Sequence, residues 1–184
     1  MKFIKTAIPD VFIIEPSVFG DDRGYFLESF NLGSFEENII PITFVQDNES
    51  KSSRGVLRGL HFQNPPFSQA KLVRCIDGSV MDVAVDIREG SPAYGKHVAV
   101  ELSGENKRQL FVPRGFAHGF SVLSESAIFA YKVDNAYVPA LEAGIRYDDK
   151  ELNIDWGLSE EEVQLSAKDK KLSFFKDFES PFKF

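Results

Sequence analysis

The sequence predicts an all-β fold, a barrel or a sandwich, formed by residues 1–184 as a single domain. Short apolar runs recur along the chain with turn residues between them, a pattern typical of such folds. The chain is long enough for one well-filled core, and 43% of its residues are hydrophobic, which argues against disorder. Its 18 phenylalanines predict a core or a pocket rich in aromatic rings.

The predicted elements follow one another at regular intervals. Strands are predicted in the stretches 12–16, 19–30, 41–50, 55–63, 71–88, 96–103, 109–124 and 127–139. Asp77-Gly78, in the middle of 71–88, is the dipeptide that most strongly signals a hairpin. A short helix is predicted for 32–38, and the capping-box spacings of Ser159 to Glu162 and Ser166 to Asp169 predict short helical segments at the C-terminus.

Charge and hydropathy exclude several classes of protein. A net charge of −7 argues against non-specific binding to nucleic acid, although local positive charge can still hold an anionic small ligand. No apolar run reaches the length of about 18 residues that predicts a membrane span, and the N-terminus lacks the apolar core of a secretory signal. Cys75 is the only cysteine and has no partner for an internal disulfide, which suits a reducing, cytoplasmic compartment.

The stretch VLRGLHFQ, residues 56–63, places polar side chains in an otherwise apolar strand. Because side chains alternate with a period of two, His61 and Gln63 share one face and Arg58 lies on the other. A bulge at Gly59 would turn Arg58 to the face of His61, since glycine inside a strand often marks a bulge.

The same alternation places Lys71, His118 and Tyr131 among apolar neighbours in three further strands. Each has a purely structural explanation: a hydrogen-bonded core histidine, a lysine that protects a sheet edge, and a tyrosine whose hydroxyl reaches water. If the four strands are adjacent, however, their titratable side chains converge on one cavity. Several arginines in this acidic protein favour a binding cavity further: Arg23, Arg54, Arg58 and Arg114.

Long motifs in the same order support a resemblance to a known family. They are DDRGYFLESF (21–30), FVQDNES (44–50), GVLRGLHFQ (55–63), the segment 71–95, VPRGFAHGF (112–120), YK (131–132) and LSAKD (165–169). With these motifs the chain resembles the dTDP-4-dehydrorhamnose 3,5-epimerases of the cupin superfamily. The resemblance implies a cupin-type β-barrel or jelly roll. It also implies an epimerase that converts dTDP-4-dehydro-6-deoxy-D-glucose into dTDP-4-dehydro-L-rhamnose.

The chain departs from metal-binding cupins at two ligand positions. Those proteins carry His-x-His, then a Glu with six residues between it and a Gly, and a later His. Here Gln63 replaces the second histidine and Lys71 replaces the glutamate, while His61 and His118 remain. A cationic lysine opposes a divalent cation. We therefore expect a metal-free site without a cofactor, in which Lys71 supplies the positive charge.

The resemblance implies a role for each of four catalytic residues. The substrate's 4-keto group acidifies the protons on C3 and C5, so that removal of either proton gives an enolate. His61 would be the base, and Asp169 would orient and stabilise it. Lys71 would hold the enolate oxygen. Tyr131 would return a proton on the opposite face, with a pKa lowered by a nearby cation such as Lys71.

The substrate-binding residues are likewise implied by the resemblance. The diphosphate and sugar would be met by Arg23, Gln46, Asp47, Asn48 and Arg58, with His118, Glu142 and Lys168 at further ligand positions. Tyr137 would stack on thymine, its structural alternative being a packed aromatic at the rim. Glu28 would accept a hydrogen bond from thymine or position Arg23. The family forms homodimers through N-terminal strands, which would place Arg23 and Glu28 across the interface.

Four other functions remain open. A relative that epimerises only C3 or C5, or a ketoisomerase on a dTDP-4-keto-6-deoxy sugar, would use the same base, lysine and tyrosine. A non-catalytic cupin that binds sugar nucleotides would lose only affinity when His61 is replaced. A metal-dependent cupin oxygenase is disfavoured by Gln63 and Lys71.

Overall fold

Two antiparallel β-sheets share one apolar core in the computed structural model, which describes residues Met1–Phe184. The strands are β1 (Lys2–Lys5), β2 (Phe12–Glu15), β3 (Val18–Asp21), β4 (Gly24–Leu27), β5 (Gln46–Ser53), β6 (Leu57–Gln63), β7 (Lys71–Asp77), β8 (Ser79–Asp86), β9 (His97–Ser103), β10 (Gln109–Val112), β11 (Phe116–Val122), β12 (Ser126–Val133) and β13 (Glu142–Gly144). The α-helix α1 spans Leu32–Asn38, as predicted, and Asn31 caps its N-terminus.

The strands form a six-stranded sheet in the order β1-β2-β10-β7-β12-β5 and a five-stranded sheet in the order β13-β6-β11-β8-β9. Side chains of both sheets meet in the main core, for example Val73 and Phe129 from the first sheet and Val80 and Phe120 from the second. Strands β3 and β4 pair only with each other and form a separate hairpin. The predicted all-β, cupin-type fold is confirmed. None of the helical segments has the length and hydropathy that crossing a membrane requires.

The hairpin predicted at Asp77-Gly78 is wrong. Strand β7 pairs with β10 and β12, whereas β8 pairs with β9 and β11, so the dipeptide is a corner at which the chain passes from one sheet to the other. Gly78 has a φ of +75°, and a Cβ there would lie 2.1 Å from the Ser126 carbonyl oxygen. Its own carbonyl accepts from the Gly104 N–H. The local signal indicated a turn correctly, but tertiary pairing decided where the next strand goes.

The bulge at Gly59 is confirmed by the pairing of β6 with β11. His61 lies opposite His118 and Arg58 opposite Phe120, so two residues of β6 face Gly119 alone. Gly59 has a φ of +120°, and a Cβ there would lie 2.6 Å from Gly119 Cα. Only glycine fits this contact, and the extra residue brings Arg58 to the face of His61.

The C-terminal helical segments are shorter than α-helices. Each capping box forms one of its contacts: the Ser159 N–H donates to Glu162 Oε2 over 2.9 Å, and the Asp169 N–H donates to Ser166 Oγ. Each contact closes a turn, however, and the helices are 3₁₀ turns at Asp169–Lys171 and Phe175–Asp177.

This C-terminal segment covers the outer face of the five-stranded sheet. Trp156 and Phe182 are buried there against Leu57, Leu60 and Phe62 of β6. The apolar packing fixes the path of the segment, and the path brings residues 164–169 alongside β6. The fold thereby places one end of the chain beside His61.

Candidate active site

One open cavity of about 720 Å³ lies between the two sheets. His61, Lys71, His118, Tyr131 and Asp169 all line it, so the predicted convergence is confirmed. The four strands form two adjacent pairs, one in each sheet. Strands β6 and β11 form one wall, and β7 and β12 form the facing wall. Chemistry from two sides of a bound molecule is therefore possible in this cavity.

His61 and Asp169 form a close pair, with 2.5 Å between His61 Nε2 and Asp169 Oδ1. Burial would raise the pKa of Asp169, but hydrogen bonds from His61 and Ser166 outweigh it and lower the pKa below its usual value. A carboxylate only accepts, so Nε2 carries the hydrogen and Nδ1 of the neutral ring keeps a free lone pair. The pair thus presents a base at Nδ1, and its imidazolium form would be stabilised by the buried carboxylate.

Asp169 reaches His61 through a turn that Ser166 closes. The Leu57 N–H donates to the Gln164 carbonyl oxygen, which fixes the segment beside β6. The Ser166 hydroxyl donates to Asp169 Oδ2 over 2.6 Å and accepts from the Asp169 N–H. The second carboxylate oxygen is therefore occupied, and the first points at His61.

A second histidine–carboxylate pair lies deeper in the barrel. His118 Nε2 is 2.9 Å from Oδ2 and 3.1 Å from Oδ1 of Asp82, whose side chain is fully buried. Burial lowers the pKa of His118, Asp82 opposes that shift, and the nearby Lys71 and His61 add to it. His118 is therefore neutral at neutral pH, with its N–H toward Asp82, and its other ring nitrogen is a hydrogen-bond acceptor rather than a charge.

Lys71 is the buried cation of the cavity. Burial lowers its pKa to about 8, although Asp82 and Glu142 favour the charged form. The positive charge is thus present at neutral pH and is lost in mildly alkaline solution. Lys71 lies on the same wall as Tyr131 and can stabilise an oxyanion that develops in the cavity.

The pKa of Tyr131 is raised rather than lowered, which corrects the expectation from the sequence. Burial is the main cause; Arg58 opposes the shift, and Glu142 adds to it. The cation that partly offsets this rise in pKa is Arg58, at the mouth of the cavity, rather than Lys71. Tyr131 remains a phenol throughout the neutral range and can donate a proton or a hydrogen bond.

The mouth of the cavity holds a hydrogen-bonded group of predicted ligand residues. Tyr137 donates from its hydroxyl to Glu142 Oε2 over 2.5 Å, and Lys168 forms an ion pair with the same oxygen. Arg58 is exposed there and donates to Ser52 Oγ. Asn48 lines the cavity and accepts from Gln46 Nε2.

Three predicted ligand residues lie away from this cavity within the chain. Arg23 is exposed on the β3–β4 hairpin and pairs with Asp21, and Glu28 beyond the hairpin accepts from Asn31. Asp47 lies on the outer face of β5, because its alternation is opposite to that of Gln46 and Asn48, and it pairs with Lys132. Two further arginines are also elsewhere: Arg54 pairs with Glu162, and Arg114 with Asp134.

Sequence reasoning missed Asp82 and Ser166. Asp82 lies on the same face of β8 as Val80 and Ala84, two residues away on either side. Both neighbours belong to the main core, so the alternation already indicated that Asp82 is buried. A carboxylate on such a face signals a buried partner, which proved to be His118. The spacing of Ser166 predicted only a helix cap. The turn that it closes instead orients Asp169, which lines the cavity.

The two histidines at metal-ligand positions of metal-binding cupins each hydrogen-bond a different carboxylate. His61 contacts Asp169, and His118 contacts Asp82. Gln63 does not line the cavity; its amide hydrogen-bonds Phe67 in the loop after β6 and Ala136 and Val138 in the loop after β12. No group of three His, Cys, Asp or Glu side chains in the chain could hold a metal ion. A metal-free mechanism stays a prediction that metal analysis of the purified protein can test.

Comparison with known proteins agrees with this architecture. The family model described as dTDP-4-dehydrorhamnose 3,5-epimerase matches residues 5–177. A dTDP-4-dehydrorhamnose 3,5-epimerase of Shigella flexneri is 60% identical over 85% of this chain and 87% of its own. A dTDP-4-dehydrorhamnose 3-epimerase of Streptomyces niveus is 40% identical over 85% of this chain and 76% of its own.

A solved structure is similar along almost the whole chain. The dTDP-6-deoxy-D-glucose-3,5-epimerase of Legionella pneumophila, in complex with dTDP-4-keto-L-rhamnose, superposes with a TM-score of 0.93. It is 52% identical, and the match covers 97% of this chain and 94% of that one. Barrel and cavity together define an acid–base enzyme of the cupin type. More particularly, the chain belongs to the dTDP-4-dehydrorhamnose 3,5-epimerase family.

Replacement of Asp82 by asparagine should shift the pH dependence of activity. If charged Lys71 is required, kcat/KM falls as the pH rises through about 8. Asp82→Asn keeps the shape and the contact to His118 but removes the charge that favours protonated Lys71. The alkaline limb of the pH profile should move down by about one pH unit or more.

Asp77→Asn, at the exposed end of the same strand as Lys71, is the matched control and should leave the limb in place. A limb that does not move in Asp82→Asn would show that another group governs it. Tyr131 is a poor candidate for that group, because its pKa is raised.

Proposed function

We propose that this chain inverts C3 and C5 of dTDP-4-dehydro-6-deoxy-D-glucose to give dTDP-4-dehydro-L-rhamnose. One observation carries the proposal: the His61–Asp169 pair lies on one wall of the cavity, and Lys71 and Tyr131 come from the facing sheet. Inversion needs a proton taken from one side of a carbon and another returned to the opposite side. Two facing walls with a base and a phenol provide that arrangement.

Proton removal begins at His61. Its Nδ1 takes the proton next to the 4-keto group, and Asp169 stabilises the imidazolium that forms. The electrons move into the carbonyl, and Lys71 balances the negative charge on the enolate oxygen. Loss of one preorganised donor of this kind typically raises a barrier by about 2.7–4 kcal/mol.

Proton return is assigned to Tyr131. A phenol is protonated at neutral pH, and burial raises the pKa of Tyr131 further above that range. Delivery from the facing wall gives the inverted carbon, after which Tyr131 must regain a proton. Arg58 at the mouth stabilises the transient phenolate, in agreement with its effect on the pKa of Tyr131.

The mouth would hold the nucleotide. Arg58 and Lys168 supply cations for the diphosphate, while Asn48 and Gln46 supply amide groups for the sugar. Tyr137 exposes half of its surface and can stack on thymine. Glu142 forms an ion pair with Lys168, and a bound diphosphate would compete for that lysine.

We also propose a homodimer in which the β3–β4 hairpin serves a second chain. Phe19, Tyr25 and Phe26 are 66%, 58% and 69% exposed on it, an unusual apolar area for a free surface. Such a hairpin would bring Arg23 and Glu28 to the mouth of the partner's cavity. The single buried cysteine supports a cytoplasmic location for this enzyme.

Incubation with dTDP-4-dehydro-6-deoxy-D-glucose in D₂O tests the function. We expect deuterium at both C3 and C5, because each carbon loses a proton to the enzyme and regains one exchanged with solvent. NMR at the two positions measures it. Label at C3 alone would mean a 3-epimerase, the activity named for the Streptomyces niveus relative. A migrated carbonyl would mean a ketoisomerase, and no exchange would mean a binding protein.

His61→Ala and Tyr131→Phe should separate the two proton transfers. His61→Ala removes the base, so deuterium incorporation should fall by about 10²–10⁴-fold while dTDP still binds. Tyr131→Phe should lose net inversion more than it loses the first proton removal.

NMR of exchange and product in the same samples measures both effects, and calorimetry with dTDP provides the binding control. Retained exchange in His61→Ala would remove His61 as the base. Equal losses of exchange and inversion in Tyr131→Phe would argue against Tyr131 as the acid.

Mixing two inactive variants tests the shared site. Arg23→Ala and His61→Ala should each impair every cavity of a homodimer. If Arg23 serves the partner's cavity, a mixed dimer carries both defects in one cavity and leaves the other intact. Activity should then return after the variants are unfolded and refolded together. No recovery, in samples where mass analysis finds mixed dimers, would place Arg23 in its own chain's site.

A further inference from the structure

Gln63 is a buried amide whose three hydrogen bonds have no role in the proton transfers. It follows the base by two residues on β6 and is only 3% exposed. Its Nε2 donates to the carbonyl oxygens of Phe67 and Ala136, over 2.7 and 3.0 Å. Its Oε1 accepts from the Val138 N–H over 2.6 Å. The amide therefore joins the end of β6 to two loops.

Two of these three bonds flank Tyr137. The Ala136 carbonyl belongs to the peptide group before Tyr137, and the Val138 N–H belongs to the one after it. We propose that Gln63 is a positioning residue that holds Tyr137 in place to receive the nucleotide's base. The inference rests on the proposed function, since it concerns the site at which dTDP would bind.

The surroundings of Tyr137 explain why such a clamp is needed. Its ring is half exposed, so little packing fixes it, and its hydroxyl hydrogen-bonds Glu142. Glu142 begins β13 and pairs with Gln63 itself across the ladder. The backbone of Gln63 thus places the hydroxyl's partner, while its side chain places the loop that carries the ring. One residue connects the strand of His61 to both.

The chemistry of the clamp selects an amide. The site needs two donors toward carbonyls and one acceptor toward an N–H, and a carboxamide offers both. An ionised glutamate would only accept and would face two carbonyl oxygens. A histidine, the residue of metal-binding cupins at this position, has too few donors. The replacement that removes a metal ligand thereby supplies the nucleotide-binding loop with its anchor.

Gln63→Glu and Gln63→Met should weaken dTDP binding and leave the chemistry of bound substrate intact. We expect Kd for dTDP and KM for the sugar nucleotide to rise about tenfold, within the range of one base–aromatic stack. The kcat should change less than twofold, because the Gln63 side chain hydrogen-bonds none of His61, Lys71 and Tyr131. Calorimetry with dTDP alone and steady-state kinetics measure the two effects.

The control is Gln69→Met, which also loses a hydrogen bond to this loop, that from Nε2 to the Asn135 carbonyl. It does not touch the peptide groups flanking Tyr137 and should bind dTDP within about twofold of wild type. Gln63→Glu keeps the side-chain volume and carries the test if Gln63→Met does not unfold cooperatively.

A double-mutant cycle decides whether Gln63 acts through Tyr137. In the Tyr137→Ala background, Gln63→Glu should cost little further dTDP affinity, because the ring to be positioned is gone. Equal losses in both backgrounds, unchanged affinity in the single variants, or a fall in kcat as large as the rise in KM would each overturn the inference. Because dTDP binding needs no turnover, these outcomes are distinct from a wild-type chain that fails to exchange deuterium, which would refute the proposed function.

Discussion

The cavity depends on the close approach of Gly59 to Gly119, where β6 carries one residue more than β11. Without that extra residue, regular alternation would give Arg58 and His61 opposite faces. With it, both reach the cavity, while Leu60 and Phe62 still pack in the apolar layer under the C-terminal segment. Both positions need glycine, because a Cβ at Gly59 would lie 2.6 Å from Gly119 Cα and a Cβ at Gly119 would lie 2.7 Å from the Arg58 carbonyl oxygen. A packing constraint thereby sets the charge at the mouth of the site.

The electrostatics of the cavity follow from how each charge is buried. Asp169 and Asp82 each accept the Nε2 hydrogen of one histidine, which fixes the tautomer of each neutral ring. Lys71 carries a charge that burial weakens and Asp82 sustains. Tyr131 keeps its proton for the same reason that Lys71 loses some of its own: burial favours the neutral form of each. The same apolar barrel thus holds Lys71 as a cation at neutral pH and Tyr131 as a protonated phenol.

Much of the fold and of the site could be predicted from local patterns. Alternation pointed Lys71, His118 and Tyr131 inward, and glycine inside a strand indicated the bulge at Gly59. These inferences succeeded because the faces of a strand depend only on the residues of that strand. The Asp77-Gly78 hairpin failed because a turn signal does not say which strand the chain pairs with next. Asp47 failed to reach the cavity for a simpler reason, since alternation along β5 turns it outward.

The sequence by itself determined the strands, their inward faces and the residue types that acid–base chemistry requires. Tertiary structure decided that those faces belong to two opposed sheets, and that Asp169, 108 residues from His61, hydrogen-bonds its ring. It also decided that Gln63 hydrogen-bonds the loop that carries Tyr137 rather than lining the cavity. These outcomes depend on contacts between distant segments, whose geometry is set by packing of the whole core. No local pattern encodes such contacts, because each partner's position is defined only after both sheets and the C-terminal segment have come together.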